Sequence, residues 1–206
     1  MWPCVFAGVV TLFASANILG IVLGVLWLLG PAAACAMSCP IRKKEQITEK
    51  EYATLKRYAG DIWKYFQEFL TQENNFLPPD NWQERPPAGL ARRTSPTNIG
   101  LCLLAVISAH DLGIIKKDSA LFLIRSITDT VTKLEKWHGH LLNWYDTCTL
   151  KPLRPVYISS VDSGNLACSM IAAAQALYAM GEKELGDRLM AMEEEMDFSK
   201  LFDFER

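Results

Sequence analysis

The chain has 206 residues, of which 50% are hydrophobic, and its 21 basic and 23 acidic residues leave a net charge of -2. This length suits one domain with an additional element, and the balanced charge argues against a nucleic-acid binder that depends on bulk electrostatics. The six cysteines form no CxxC pair, so we predict no metal site, no cofactor and no disulfide framework.

The N-terminal stretch is strongly apolar, and no charged residue occurs before position 42. The run 5–29 is long enough to cross a bilayer, which requires about 20 apolar residues. The basic residues 42–44 follow, and positive charge favours the cytoplasmic side of a membrane. We therefore predict a transmembrane helix with a basic flank over residues 1–44 and a helical domain over 45–206. A secretory signal peptide is the alternative, although a basic n-region is missing.

Capping residues and helical periodicity predict a series of helices after this segment. Thr48 and Glu51 fit a capping box at the start of an amphipathic helix. Ser95 and Pro96 fit the N-cap and first positions of another. We predict helices over residues 48–71, 95–112, 118–137, 167–180 and 182–192, and an extended, proline-rich path over 76–93.

Two of the predicted helices, within 99–112 and 167–180, carry almost no charge, so we expect them to be buried on nearly every side. Each follows a polar cluster, and buried and half-exposed helices alternate as in two turns of an (α/α)6 toroid. A closed toroid of twelve helices requires roughly twice this length. We therefore predict an all-α fold with an incomplete (α/α)6-toroid-like domain. The alternative is an irregular helical domain with two good N-caps.

The connection over residues 137–167 is rich in aromatic and polar side chains. Trp144 and Tyr145 offer flat faces to sugar rings, and Asp146 and Asp162 offer directional hydrogen bonds. A connection this long inside a compact domain is usually functional or disordered, and its aromatic content argues against disorder. The alternative is a packed loop, in which the two aromatics belong to the core and Asp162 only caps the next helix.

Five motifs in the second part of the chain resemble the cyclic β-1,2-glucan synthases: PPDNWQERPP, RRTSPTNIGL, GHLLNWYDT, YISSVDSGNLA and MDFSKLFDFER. The resemblance implies a large bacterial inner-membrane protein. In this family a glycosyltransferase module builds β-1,2-glucan from UDP-glucose, and a glucoamylase-like (α/α)6 module cyclises it. A phosphorylase-like module lies at the C-terminus. The resemblance also implies that this chain holds the last membrane helix and the opening of the glucoamylase-like region, with the catalytic carboxylates outside it.

Glycosidic chemistry requires two carboxyl groups about 5 to 9.5 Å apart. Among the acidic residues, Asp80 and Glu84 either line a pocket or pair with Arg92 or Arg93, and we assign hydroxyl binding to Asp146 and Asp162. A metal held by His138 and His140 is the weaker interpretation because no third ligand lies at a useful spacing. The predicted substrate-binding residues are Asp80, Asn81, Glu84, Arg93, Thr94, Ser95, Asn98, Asn143, Trp144, Tyr145, Asp146, Asp162, Ser163 and Asn165.

The resulting hypothesis is a fragment of a membrane-bound cyclic β-1,2-glucan synthase that contributes part of the glucan-binding, transglycosylating module and turns nothing over alone. Its expected partners are β-1,2-glucan or a related oligosaccharide, the lipid bilayer and the remainder of the synthase, with no nucleic acid. Its expected location is the bacterial inner membrane, with the soluble part on the cytoplasmic side. The alternative is a stand-alone, membrane-anchored carbohydrate-binding or scaffold protein without catalysis.

Overall fold

The computed structural model describes residues 2–14, 17–38 and 47–202. Its contacts divide the chain into two compact units, Met1–Ile47 and Thr48–Arg206. The first unit contains α1 (Trp2–Ala14) and α2 (Ile18–Ser38). The helices of the second unit are α3 (Glu49–Phe69), α4 (Pro96–Asp111), α5 (Lys117–Lys133), α6 (Ser160–Ala179) and α7 (Lys183–Glu194), with a 3₁₀ turn at Phe198–Leu201. Its strands are β1 (Trp82–Gln83), β2 (Gly89–Leu90), β3 (Arg93–Thr94), β4 (Lys136–Trp137), β5 (His140–Leu141), β6 (Asn143–Asp146) and β7 (Pro152–Tyr157).

The first unit is a pair of packed helices, so the prediction of one continuous helix over 5–29 is wrong. The Asn17 side chain accepts a hydrogen bond from the Gly20 backbone N–H at 2.8 Å, and so gives a partner to one of the free N–H groups at the start of α2. The helices approach closely at Gly24, where an added Cβ would lie 2.6 Å from Leu12 Cγ. Close packing through small residues is common between apolar helices.

The helix α2 has 21 residues and a mean hydropathy of 2.3, which by length and composition is enough to cross a membrane. It continues past the predicted end at residue 29, through Pro31, to Ser38. The basic flank predicted at residues 42–44 lies outside the described residues.

The predicted helix starts at Thr48 and Ser95 are confirmed. Thr48 and Glu51 form the reciprocal capping box, and the Ser95 side chain accepts from the Asn98 N–H. The start of α6 was predicted too late, at residue 167. The side chain of Ser159 is the true N-cap and accepts from the Asp162 N–H at 3.1 Å, so the polar residues expected on a loop occupy the first turns of a helix.

The helices α4 and α6 pack side by side and form the centre of the second unit. Contact is so close at Gly100 that an added Cβ would lie 2.8 Å from Ser169 Oγ and 3.2 Å from Leu166 Cα. The expectation that both helices are buried on nearly every side is wrong. Leu101 of α4 is 55% exposed and Val161 of α6 is 71% exposed, because no element in the described part of the chain covers these faces.

Short strands, which the helical periodicity did not predict, lie beside the N-terminal ends of α4 and α6. The strands β3, β6 and β7 form an antiparallel sheet in which Arg93 pairs with Asp146 and Thr94 pairs with Tyr145. The first strand, β3, runs directly into the N-cap of α4, and β7 ends shortly before the N-cap of α6. The sheet therefore lies at the end of the unit where both central helices begin.

Candidate functional site

The N-termini of the two central helices meet and share hydrogen bonds. The Asn165 Nδ2 donates to Thr97 Oγ1 at 3.1 Å. Polar groups of Ser159, Thr97 and Asn143 lie beside the Asp162 carboxylate and lower its pKa. Residues that lie far apart in the sequence are thus brought to one end of the α4–α6 pair, beside the sheet.

These contacts determine the protonation state of Asp162. Partial burial acts to raise the pKa of this carboxyl, but the hydrogen bonds from Ser159, Thr97 and Asn143 outweigh it, and the pKa is lowered overall. A position in the first turn of α6 also favours negative charge. The lowered pKa favours the ionised carboxylate, which can accept hydrogen bonds from sugar hydroxyls.

Asp80 forms a second cluster with residues from β3 and α4. Its Oδ2 accepts from Arg93 Nε at 3.2 Å, from Arg93 Nη2 at 3.0 Å and from Asn81 Nδ2 at 2.9 Å. Its Oδ1 accepts from Asn98 Nδ2 at 3.2 Å. Of the two interpretations of Asp80, pairing with Arg93 is what the structure shows. Glu84 is exposed in the loop between β1 and β2, away from these contacts.

Arg93 connects this cluster to the aromatic residue predicted to stack on sugar. Its guanidinium carbon lies 4.7 Å from the centre of the Trp144 ring. The sheet register explains the contact, because Arg93 pairs with Asp146 and side chains two apart on β6 share a face. Trp144 is half-buried on this face and lies beside the polar cluster.

Asp146 organises the turn after β6. Its Oδ1 accepts from the Cys148 N–H at 3.0 Å, from the Thr149 N–H at 2.7 Å and from Thr149 Oγ1 at 2.9 Å. Partial burial acts to raise the pKa of Asp146, but these hydrogen bonds outweigh it and the pKa is lowered. One carboxylate oxygen of Asp146 therefore stabilises the turn. The sequence predicted only hydroxyl binding for this residue.

Tyr145 occupies the core position that was the alternative to sugar stacking. Its ring is fully buried, so stacking on a sugar is not possible in this structure. Its hydroxyl donates to the Glu135 carbonyl at 2.5 Å and accepts from the Leu142 N–H at 2.7 Å. Burial raises the pKa of Tyr145 to about 12. The sequence pattern did not show that Trp144 is accessible and Tyr145 is buried. Neighbouring side chains point to opposite faces only when the segment is a strand, and this strand was not predicted.

Four other predicted residues lie beneath the surface and do not face solvent: Thr94, Ser95, Asn143 and Ser163. Ser95 is the N-cap of α4, and Asn143 hydrogen-bonds Asp162. These side chains support the surface layer rather than offering a contact to a ligand. The predicted residues that remain accessible form two groups of contacts. Asp80, Asn81, Arg93, Asn98 and Trp144 form one, and Asp162 and Asn165, which both lie next to Thr97, form the other.

Thr97 joins this set, although it was not among the predicted site residues. It contacts both Asn165 and Asp162, and so connects α4 to α6. Its position two residues after the N-cap Ser95 was the available sequence signal, because hydroxyls there point out of the first turn.

The accessible cluster has the chemistry of a binding surface. It offers carboxylate, amide and hydroxyl groups beside an indole ring, which is the combination that binds sugars through hydrogen bonds and stacking. A general acid for glycoside cleavage requires a raised pKa, whereas the pKa values of Asp146 and Asp162 are lowered. These two carboxylates therefore do not have the properties of a general acid.

Comparisons with known proteins show what this chain is similar to. No family model matches it. It is 42% identical over 158 residues, 76% of its length, to the cyclic beta-(1,2)-glucan synthase NdvB of Rhizobium meliloti, but spans only 6% of that protein. This match confirms the resemblance to the cyclic β-1,2-glucan synthases.

Solved structures show the same fold at low sequence identity. A β-1,2-glucanase from Parabacteroides distasonis aligns with 75% of this chain and 22% of its own, at a TM-score of 0.61 and 18% identity. An endo-β-1,2-glucanase from Chitinophaga pinensis, in complex with sophorotriose and glucose, aligns with 70% of this chain and 38% of its own, at 0.57 and 16%. A protein assigned as a glucoamylase from Bacteroides fragilis aligns with 69% of this chain and 37% of its own. The TM-score is 0.59 and the sequence identity is 18%. The predicted mostly helical, glucoamylase-like fold class is confirmed.

Proposed function

Because this chain is a relative of the cyclic β-1,2-glucan synthases over 76% of its length, we propose that it forms part of the glucan-binding region of such a synthase. The bound chemical class is a β-1,2-linked glucan or a related oligosaccharide. The observation that carries the proposal is the set of polar contacts at the N-termini of α4 and α6. Asp80 and Asn98 lie beside the Arg93–Trp144 pair, and Asp162 and Asn165 meet at Thr97.

The proposal includes no turnover by this chain alone. Transglycosylation requires a pair of carboxyl groups, one of them available as a general acid. Asp80 is held by Arg93, Asn81 and Asn98, and Asp146 is held by its own turn. In our proposal both carboxylates position neighbouring groups, and the catalytic carboxylates belong to other parts of the synthase.

We also propose that the first unit anchors the chain in the bacterial inner membrane, with the second unit on the cytoplasmic side. Support comes from α2, which is long and apolar enough to span a bilayer. The basic residues 42–44 that follow it in the sequence favour a cytoplasmic location for what comes next.

The second candidate is a stand-alone, membrane-anchored carbohydrate-binding or scaffold protein. A cooperative thermal transition of the second unit and a monomeric profile in detergent would favour it. The uncovered faces of α4 and α6 favour the first candidate, because exposed apolar helix faces usually mark a missing packing partner.

Binding selectivity tests the proposal. The full chain, purified in detergent, is titrated by NMR with β-1,2-linked glucose oligomers and, as the control, with β-1,4-linked oligomers of the same length. We expect weak binding of the β-1,2 series, with a dissociation constant of about 1 mM, because a partial site supplies only about 4 kcal/mol. Equal responses to both series, or no response to either, would refute the glucan assignment.

A further inference from the structure

The apolar face of α3 continues well beyond the part that the domain covers. Trp63 and Leu70, in its C-terminal half, are only 5% and 6% exposed. Three large residues on the same side of its N-terminal half are each more than half exposed: Tyr52 at 54%, Leu55 at 54% and Tyr58 at 53%. We call these three side chains the stalk face.

The stalk face is exposed because α3 is longer than the helix it packs against. The C-terminal part of α4 meets α3 at Ala59, Ile62, Trp63 and Phe66. Beyond that level α4 ends at Asp111 and the chain turns away. Residues 49–58 of α3, about 15 Å at 1.5 Å per residue, therefore project past the end of α4.

This projecting part lies at the opposite end of the domain from the candidate site. The other end of α3 reaches the site region, where the Tyr65 hydroxyl donates to the Pro79 carbonyl at 2.9 Å, next to Asp80. The N-terminal ends of α4 and α6 and the sheet are at that same end. The stalk face and the candidate site therefore lie at opposite ends of the helical domain.

The remainder of a larger synthase could cover an uncovered apolar helix face, as proposed for α4 and α6. For the chain by itself, two other kinds of occupant fit: a second copy and a lipid surface. A second copy would pair through the spacing of Tyr52, Leu55, Ala59 and Ile62, which is that of a coiled coil. A coiled coil usually needs three to four heptads, and the uncovered part offers about two, because the following turns already pack on α4. Pairing of two copies is therefore disfavoured.

A lipid surface fits better. Two of the three residues are tyrosines, and tyrosine is enriched at membrane interfaces because its ring is apolar and its hydroxyl is polar. Glu49, the first residue of α3, follows Ser38, the last residue of α2, by only ten intervening residues, which reach at most about 36 Å. The acidic and basic residues of α3 balance, so the attraction is apolar and does not depend on anionic lipid.

We propose that the stalk face of α3 lies in the interfacial layer of a lipid bilayer. The inference rests on the membrane anchoring in the proposed function. It is independent of the glucan assignment.

Site-specific photocrosslinking of the full chain in proteoliposomes tests this proposal. Benzophenylalanine replaces Leu55 on the stalk face, and Ala53 in a matched control. Ala53 is also exposed, and a displacement of two residues puts it about 200° around the helix. We expect a lipid adduct at position 55 and its loss at position 53, with the same yield in neutral and in anionic vesicles.

The other outcomes overturn the proposal. A crosslinked species of twice the chain mass at position 55 would identify a second copy as the occupant. Absence of any adduct at position 55 would show a face in water, and equal lipid adducts at both positions would show that no particular face meets the bilayer. Resistance of the chain to carbonate extraction is measured in parallel. Release of the chain would contradict the membrane anchoring itself, whereas retention without a lipid adduct would contradict only the proposal for the stalk face.

Discussion

At the scale of single residues, the site depends on carboxylates that are ionised and fixed. Asp162 illustrates this, because polar groups from the residue that caps α6, from α4 and from β6 lower its pKa. Its folded-state pKa is lowered from the usual value of 3.8, so its stabilising effect is complete above that pH. As the pH falls through the lowered pKa, the folded protein takes up the proton and the effect is lost.

The first prediction follows from this linkage. Asp162→Asn should lower the free energy of unfolding by about 1 to 2 kcal/mol at pH 7, because hydrogen bonds to a charged group become neutral ones. The penalty should shrink as the pH is lowered below about 4, where the parent chain loses the same charge. Urea unfolding of the full chain in detergent at pH 7 and pH 3 measures both values. A penalty of the same size at both pH values would contradict the assignment.

Tyr145 gives a second prediction at this scale. Tyr145→Phe removes the hydroxyl that connects the Glu135 carbonyl with the Leu142 N–H, and leaves the buried Leu142 N–H and the partly buried Glu135 carbonyl without this partner. We expect a loss of about 1 to 3 kcal/mol in the free energy of unfolding. The same measurement in detergent checks it, with Tyr52→Phe on the exposed stalk face as the control, for which we expect no measurable change.

At the scale of elements, the contact between α4 and α6 is what brings their N-termini together. Gly100→Ala should destabilise the second unit by about 1 to 3 kcal/mol, because its new Cβ meets Ser169 and the backbone of Leu166. Gly60→Ala is the matched control in α3, where an added Cβ meets nothing within 4 Å. That change should stabilise the chain by about 0.5 to 1 kcal/mol. Both values come from denaturant unfolding, and equal effects would contradict the tight contact.

The elements also show what the sequence could predict. Helix starts with a complete local signal, Thr48 with Glu51 and Ser95 with Pro96, were located correctly because the capping chemistry is contained in four neighbouring residues. The start of α6 was placed seven residues too late because Asp162, Ser163 and Asn165 are as typical of a loop as of a first turn.

The strands and the N-terminal break were missed for a different reason. The strands β3 and β6 contain two and four residues, too few for alternation to be recognised, and their pairing joins positions about 50 residues apart. The contact of Arg93 with Trp144 depends on that pairing. In the first unit, Asn17 interrupts a run that is apolar on both sides, and composition alone predicted one helix across it.

At the scale of the whole molecule, the second unit resembles one part of a larger helical fold. It aligns with 22% to 38% of each of the three solved structures, and α4 and α6 expose apolar side chains. Packing another helical hairpin against α6 would bury residues such as Val161 and Ile171. Burial of a side chain as exposed as Val161 would stabilise the fold by up to about 1.5 to 3 kcal/mol, and burial of Ile171 by less.

The cluster around Trp144 carries the central claim, and saturation-transfer NMR with a β-1,2-glucose oligomer tests it most directly on the full chain in detergent. The account predicts that Trp144→Ala abolishes the transfer. It also predicts that Trp82→Ala, which removes an indole that is 54% exposed and stacked on Phe69 outside the cluster, leaves the transfer intact. Transfer that survives Trp144→Ala, or that is lost equally in both variants, would contradict the account.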